Sequence, residues 1–398
     1  MTLSSSDLVS PEKQLLVRSA RTKLDPPVAQ EIRELLAGSL DWNFLLEAAA
    51  ENSILPLLAQ QIVATAADAV PPGQLDRLKG AARANAVRCL VLSAELIKIM
   101  SLFRSQGIQA IPYKGPLLAV EAYGDLTLRE FEDLDIVLRQ RDMPKANDII
   151  QSLGYRPKFP WILTAGGSSA VVPGEYNYRD EGRGLMVELH TERTLRHFPV
   201  CPDLDDLALR LAPVTLSGHE IATFGAEDML PILCIHGSKD FWQRISWIAD
   251  ISEFIQSHPR LDWGQVFLRA DVLRAGRMLR TGLALAARLV AAPLPDVVNA
   301  RVQSDSVATS VASDVAQRHL DRRWPALDAA ARFHFRRRMV EGYFAGWRYA
   351  MRLTTQPAEE DGAMMRLPRP LAPLYAVLRP LRLLRKYGSS SERPAQPR

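Results

Sequence analysis

Glu132-Asp133-Leu134-Asp135-Ile136-Val137-Leu138 places two carboxylates two residues apart at the head of an apolar run whose odd and even positions alternate in character. That alternation predicts a β-strand, and residues i and i+2 of a strand project from the same face. Two anions on one face repel, and burying even one uncompensated charge is costly, so the pair needs cations or water beside it. A solvated strand end meets that need. A divalent metal meets it too: magnesium takes hard oxygen ligands, commonly one or two carboxylates together with substrate phosphates. The flanking sequence decides between the two.

Upstream, IQAIPYKG (108–115) reads as a short strand running into a tight turn, and PLLAVEAYG (116–124) as the helix that follows. Lys114-Gly115 therefore closes a strand and opens a helix, where backbone N–H groups and the helix dipole favour a phosphate. Downstream, Met143 to Gly154 predicts a helix, Gly166, Gly167, Ser168 and Ser169 a loop, and LMVELH (185–190) another strand. Glu188 is out of pattern in that apolar run, so a metal or a basic partner is expected for it. Pairing this strand beside the first brings Glu188 to Asp133 and Asp135 and completes a two-metal site.

Helical spacing governs the flanks. Residues 1–26 form an N-terminal segment, 27–106 an N-terminal helical region with a turn at Pro71-Pro72-Gly73, and 107–224 the α/β core. A C-terminal helical region follows over 225–355, with helices near 262–293, 304–321 and 326–353, and then a tail over 356–398. The fold class is α/β (α+β), with a small mixed sheet embedded between helical regions. Across 398 residues the chain is 47% hydrophobic, enough for a sizeable core. Cys89, Cys201 and Cys234 have neither disulfide-framework nor zinc-knuckle spacing. No signal-peptide pattern or spanning apolar stretch occurs, so a cytoplasmic protein is expected. A net charge of +4 argues for no general nucleic-acid affinity. The tail carries Arg366, Arg369, Arg379, Arg382, Arg385 and Lys386 with no acid between them, which reads either as a proline-broken extension with solvated arginines or as a segment able to meet an anionic membrane surface or a protein partner. The terminal GSSSERPAQPR reads as disordered.

The run KGPLLAVEAYGDLTLREFEDLDIVL, the helix ending in LGY, the VELH strand, and AEDMLPILCIHGSKD and SWIADISEFI together resemble a family of largely uncharacterised bacterial nucleotidyltransferases within the DNA-polymerase-beta-like superfamily. In that family an LKG turn precedes a helix, an R…DIDLLV strand carries paired aspartates, and a V-D/E-L-H strand carries the third acid. The likeness covers roughly residues 30–275. It implies that Asp133, Asp135 and Glu188 bind Mg2+ or Mn2+ and act catalytically, that Lys114 and Gly115 hold the phosphates of an NTP, and that Arg129 lies just ahead of the aspartates. The activity expected on it is transfer of a nucleoside monophosphate to a hydroxyl or phosphate, with Glu188 assisting deprotonation of the acceptor; a small-molecule or peptide acceptor is preferred because the basic residues between 156 and 200 are diluted by Glu175, Asp180, Glu181, Glu188 and Glu192. The sequence departs from the family in having Gly115-Pro116 where Gly-Ser or Gly-Gly is usual, which removes a serine contact to phosphate; proline is well tolerated in a first helical turn.

His236 and Lys239, three residues apart on one helix face, are candidate nucleotide or acceptor contacts. His190 is read as lying on the strand face opposite Glu188, supporting the site only indirectly. Glu227 and Asp228 are read as helix-dipole partners, Asp250 as either the partner of a basic residue or part of the cleft lining, and Trp242, Trp247, Trp263 and Trp347 as packing residues. Two alternatives stand beside the active transferase. One is a catalytically degenerate nucleotide-binding scaffold or regulator. The other is an RNA-modifying nucleotidyltransferase, for which Arg156, Lys158, Arg179, Arg183, Arg193 and Arg196, interleaved with Phe159, Trp161, Tyr176 and Tyr178, would supply a basic, aromatic surface.

Overall fold

The computed structural model describes residues 10–159, 174–192, 203–321, 327–342, 344–356, 361, 365, 367 and 369–388. The loop at 166–169, Cys201, Arg193, Arg196, Trp161, Arg366 and all but the first residue of the terminal GSSSERPAQPR lie outside them.

Alternating sequence makes the sheet. Strands β1 (Ala110–Tyr113), β2 (Asp133–Leu138), β3 (Arg156–Pro157), β4 (Glu175–Asp180) and β5 (Leu185–His190) form one five-stranded sheet in the order β1-β2-β5-β4-β3. β2 and β5 are parallel and the other neighbours antiparallel, so the sheet is mixed as expected. Leu134, Ile136, Leu138, Val187, Leu189, Tyr176 and Tyr178 fill its buried face. The acids of β2 and β5 occupy the other. A second sheet, unforeseen from the sequence, is the hairpin β6 (Leu211–Leu216) and β7 (His219–Phe224), turned by Ser217-Gly218, both at positive φ as in a type I′ turn. Its Thr223 hydroxyl donates to the Pro112 carbonyl of β1 at 2.8 Å.

Helices α1 (Pro11–Ser19), α2 (Pro26–Ala37), α3 (Trp42–Glu51) and α4 (Leu55–Ala66) precede the 34-residue α5 (Pro72–Ser105), which is about 50 Å long at the usual rise. α6 (Gly115–Tyr123) and α7 (Met143–Ser152) belong to the sheet unit. α8 (Leu204–Ala208) leads into the hairpin, and α9 (Ala226–Lys239), α10 (Ile245–Ser257), α11 (Trp263–Val272), α12 (Gly276–Val290), α13 (Asp296–Gln303), α14 (Ser306–Leu320), α15 (Ala329–Met339), α16 (Ala345–Thr355) and α17 (Tyr375–Gly388) follow. Two of the helices expected from periodicity are each broken in two. The 262–293 run stops at Arg274, whose φ of 56° ends α11, and the 326–353 run stops near Gly342, with φ 104°. Apolar spacing continued through both breaks and concealed them.

One apolar core joins α1 to α4 with α9 to α14, so the N-terminal and C-terminal helical regions share an interior. A second lies beneath the sheet and takes in Cys89, Leu92, Leu96, Ile99 and Phe103 of α5. α5 therefore runs from one core into the other, contributing Leu78 to the first. Within α17, Arg379 is buried and donates to the Leu353 carbonyl at 2.8 Å, and Arg379 and Arg382 both pair with Asp361, so two of the tail's cations are neutralised internally. Among the described residues no helix is long and apolar enough to cross a membrane.

Trp242 is fully buried between α9 and α12, where Gly237 leaves room for its ring and a methyl on Gly282 would sit 2.6 Å from the Cys234 sulfur. Gly237→Ala is expected to lower stability by about 1–3 kcal/mol through overpacking. Gly80→Ala, in open space on α5, should raise it by roughly 0.5–1 kcal/mol. Urea unfolding of both variants measures the difference, and equal effects would remove the indole from its supporting role. His319 packs nearby and its Nε2 lies 2.7 Å from the Trp242 carbonyl; burial, with Lys13 close by, pulls its pKa down to about 3. The unfolded chain takes up this proton below about pH 6.5 and the folded one does not until near pH 3, so stability should fall as the pH drops through that window. A stability-versus-pH curve unchanged by His319→Gln would exclude the effect.

Candidate active site

The parallel register of β2 and β5 sets Asp135 directly opposite Glu188 and Val137 opposite His190. On the next strand Glu175 lies opposite His190, and on the other side Tyr113 lies opposite Asp135. Residues two apart on a strand share a face, so His190 stands beside Glu188 and not behind it. This corrects the sequence reading: His190 Nε2 is 2.8 Å from Asp135 Oδ1 and 3.7 Å from Glu188 Oε2. The other Asp135 oxygen lies 3.0 Å from the Lys114 ammonium.

Lys114 reaches Asp135 from an unusual backbone. Its φ and ψ are 57° and −148°, a region that side chains other than glycine's rarely occupy, and the next residue, Gly115, also has positive φ before α6 begins. The turn thus presents the ammonium and the first residue of α6 to one cavity of about 370 Å³, lined also by Asp133, Asp135, Glu188, His190, Glu175 and Arg129. α9 contributes His236 and Lys239 to the same cavity, and Asp240 follows at its C-terminal cap. Lys239 Nζ lies 3.0 Å from both oxygens of Glu175, so this lysine is committed to an acid that sequence reading missed. The Tyr-Asn-Tyr alternation around it, Tyr176 and Tyr178 inward, was the available signal.

The charges are unevenly settled. Burial opposes the Asp135 carboxylate, yet the Lys114 ammonium and the His190 ring hold it well below the usual carboxylate range. Burial likewise opposes Glu175, and Lys239 keeps it ionised. Asp133 moves the other way, raised by burial and by the neighbouring Asp135 charge. Burial lifts Glu188 to about 7, with Asp135, Asp133 and Glu175 adding to the rise against the His190 ring. His236 is held neutral by burial and by the Lys114 charge. Asp133 and Glu188 therefore mark a deficit of positive charge. The Asp135, Glu188 and His190 ligand atoms all lie within 4.8 Å of one another. Two carboxylates and an imidazole fit a divalent cation, and the nitrogen donor widens the choice from Mg2+ to Mn2+ and its neighbours. Asp133 shares the cavity but is not in this trio, whose third member is His190.

Residues 38–291 match the family described as uncharacterised nucleotidyltransferase. The chain belongs to this nucleotidyltransferase family. The matched span covers more than half the sequence and includes every cavity residue named above. Among curated proteins there is no match. A solved structure, an antigenic nucleotidyltransferase-like protein from Paracoccidioides brasiliensis, is similar at 16% identity and a TM-score of 0.33, over 56% of this chain and 91% of that one.

Arg129 lines the cavity but is tied by a buried ion pair. Its Nε and one Nη donate to the two oxygens of Asp250 on α10 at 2.8 and 2.9 Å, and the Tyr123 hydroxyl donates to the same carboxylate at 2.7 Å. From α5, Asn85 donates to the Thr127 carbonyl and Arg88 to the Glu132 carbonyl, fixing the segment that enters β2. Asp250→Asn, which leaves a buried guanidinium without its counter-charge, is expected to cost about 3–5 kcal/mol. Tyr123→Phe, which removes one hydrogen bond, should cost less. Thermal unfolding compares the two; an Asp250→Asn variant as stable as wild type would discount the pair as a support of the site.

Proposed function

We propose that the chain is an active, divalent-cation-dependent nucleotidyltransferase that moves a nucleoside monophosphate from an NTP to a hydroxyl or phosphate of a small molecule or peptide and releases pyrophosphate. The observation that carries this reading is the apposition of Asp135, Glu188 and His190 in the cavity that Lys114 and Gly115 also line. Asp135, Glu188 and His190 would hold the cation, with Asp133 beside them. When bound, Mg2+ or Mn2+ supplies neutralisation of phosphate charge and acidifies a coordinated hydroxyl. Lys114 and the N-terminus of α6 would orient the triphosphate, since ammonium and helix dipole both favour anions. The acceptor oxygen attacks the α-phosphorus as the bond to the β-phosphate oxygen breaks, and the acceptor's proton passes to a Glu188 oxygen. Glu188 suits that role better than Asp135 because its side chain is 23% exposed against 6%.

The small acceptor is favoured over RNA by the fate of the basic, aromatic stretch. Tyr176 and Tyr178 are buried, with Gln140 donating to the former and Asn147 accepting from the latter. Arg183 is tied to Asp180 and Glu95. One observation speaks for a degenerate, nucleotide-binding scaffold: both oxygens of Asp135 are already engaged by protein groups.

Calorimetric titration of ATP, GTP, CTP and UTP in Mg2+ or Mn2+ tests the reading on the wild type and on an Asp133→Asn/Asp135→Asn variant. Cation-dependent binding of at least one NTP, lost in the variant, is the expected result. No binding by folded wild type would overturn it, and binding without turnover of any acceptor would favour the scaffold.

A further inference from the structure

Trp247 has a different setting from the other described tryptophans near it. Trp242 is fully buried packing, whereas Trp247, on the first turn of α10, is half-buried and lines the cavity itself. Its ring meets that of His236, another residue of the cavity wall, edge-on with centroids 5.0 Å apart. The Arg244 guanidinium lies over the same indole, 5.9 Å from the ring centroid.

This corner is held rigid from outside the sheet unit. The Ser246 N–H donates to the Asn52 carbonyl at 3.2 Å, the Ile245 N–H to the Asn52 side-chain oxygen at 3.1 Å, and Arg244 Nη1 to the Ser53 hydroxyl at 3.1 Å. Glu130, also in the cavity wall, lies within Coulombic reach of Arg244. The corner therefore combines an aromatic ring, a guanidinium donor and a carboxyl group in the wall of the cavity that the acids also line. A nucleobase has the complementary features: a π-face to stack, and ring-edge donors and acceptors.

We propose that Trp247 is the platform on which the nucleobase of the bound nucleotide stacks, with Arg244 and Glu130 meeting its edge. The proposal rests on the reading of the cavity as a nucleotide site. It assigns the base to the α10 wall and the phosphates to the Lys114 turn, a division that nothing in the carboxylate pattern predicts. Stacking on one aromatic side chain corresponds to about ten-fold in affinity.

The test titrates ATP and inorganic tripolyphosphate, each with Mn2+, into the full-length wild type, Trp247→Leu and Trp247→Phe. Trp247→Leu should bind ATP about ten-fold more weakly and tripolyphosphate unchanged, and Trp247→Phe should recover most of the ATP affinity. Unchanged ATP affinity in Trp247→Leu, or parallel loss of both ligands in folded protein, would overturn the platform. Should Trp247→Leu fail to fold, a Trp247→Phe variant that loses both ligands equally would overturn it too. Wild type that binds tripolyphosphate as tightly as ATP would refute the base contact while leaving the anion site standing. Binding of neither ligand by wild type would instead remove the nucleotide reading of the cavity, and the platform with it.

Discussion

Asp133, Asp135, Glu188 and Glu175 are gathered on one face of a small sheet, mostly out of water, and like charges so placed must be met by cations or give up their ionisation. Much of the surrounding structure follows from how that is done. Lys114 meets Asp135 only because its backbone adopts a conformation that costs about 1–3 kcal/mol for a side-chain-bearing residue. Lys239 meets Glu175 only because α9 crosses over the same face. The placement of α9 in turn depends on Gly237, Gly282 and Trp242, which let it approach α12 closely. Asp133 and Glu188 are left with raised proton affinity, and the cation deficit of the site resides there.

The helical regions are more than packing around this unit. The core shared by α1 to α4 and α9 to α14 makes the N-terminal helices part of the same body as the wall facing the acids. From that body Asn52 and Ser53 fasten residues 244–246, and the Thr22 backbone and hydroxyl donate to Glu253 of α10. From the other side α5 fastens the carbonyls ahead of β2. The buried Arg129–Asp250 pair joins the two, tying the carboxylate strand's entry to α10. A site whose supports are themselves hydrogen-bonded is preorganised, which is what stabilising a developing charge requires.

Odd–even alternation made β2 legible, and short apolar runs beside a turn made β1 and β5 so; Asp133, Asp135 and Glu188 stood out because a carboxylate in an apolar strand contradicts its surroundings and signals a compensating partner. The same rule, applied consistently, also placed His190 beside Glu188; reading it onto the opposite face was an error of parity. The Ser217-Gly218 turn between alternating runs was an available hairpin signal that helical neighbours obscured. Glu175 was hidden among arginines and tyrosines that read as a polar surface.

Local sequence therefore determined which elements form and which acids stand on one strand face, since both depend on the few residues around each position. What only the tertiary structure decided was partnership across long separations: Lys239 with Glu175, Arg129 with Asp250, Asn52 with residues 244–246, and Trp247 with the cavity. Trp247 illustrates the reason. Its helical spacing is identical for a core residue and a cavity wall, and the two differ only in whether another part of the chain fills the space against its ring.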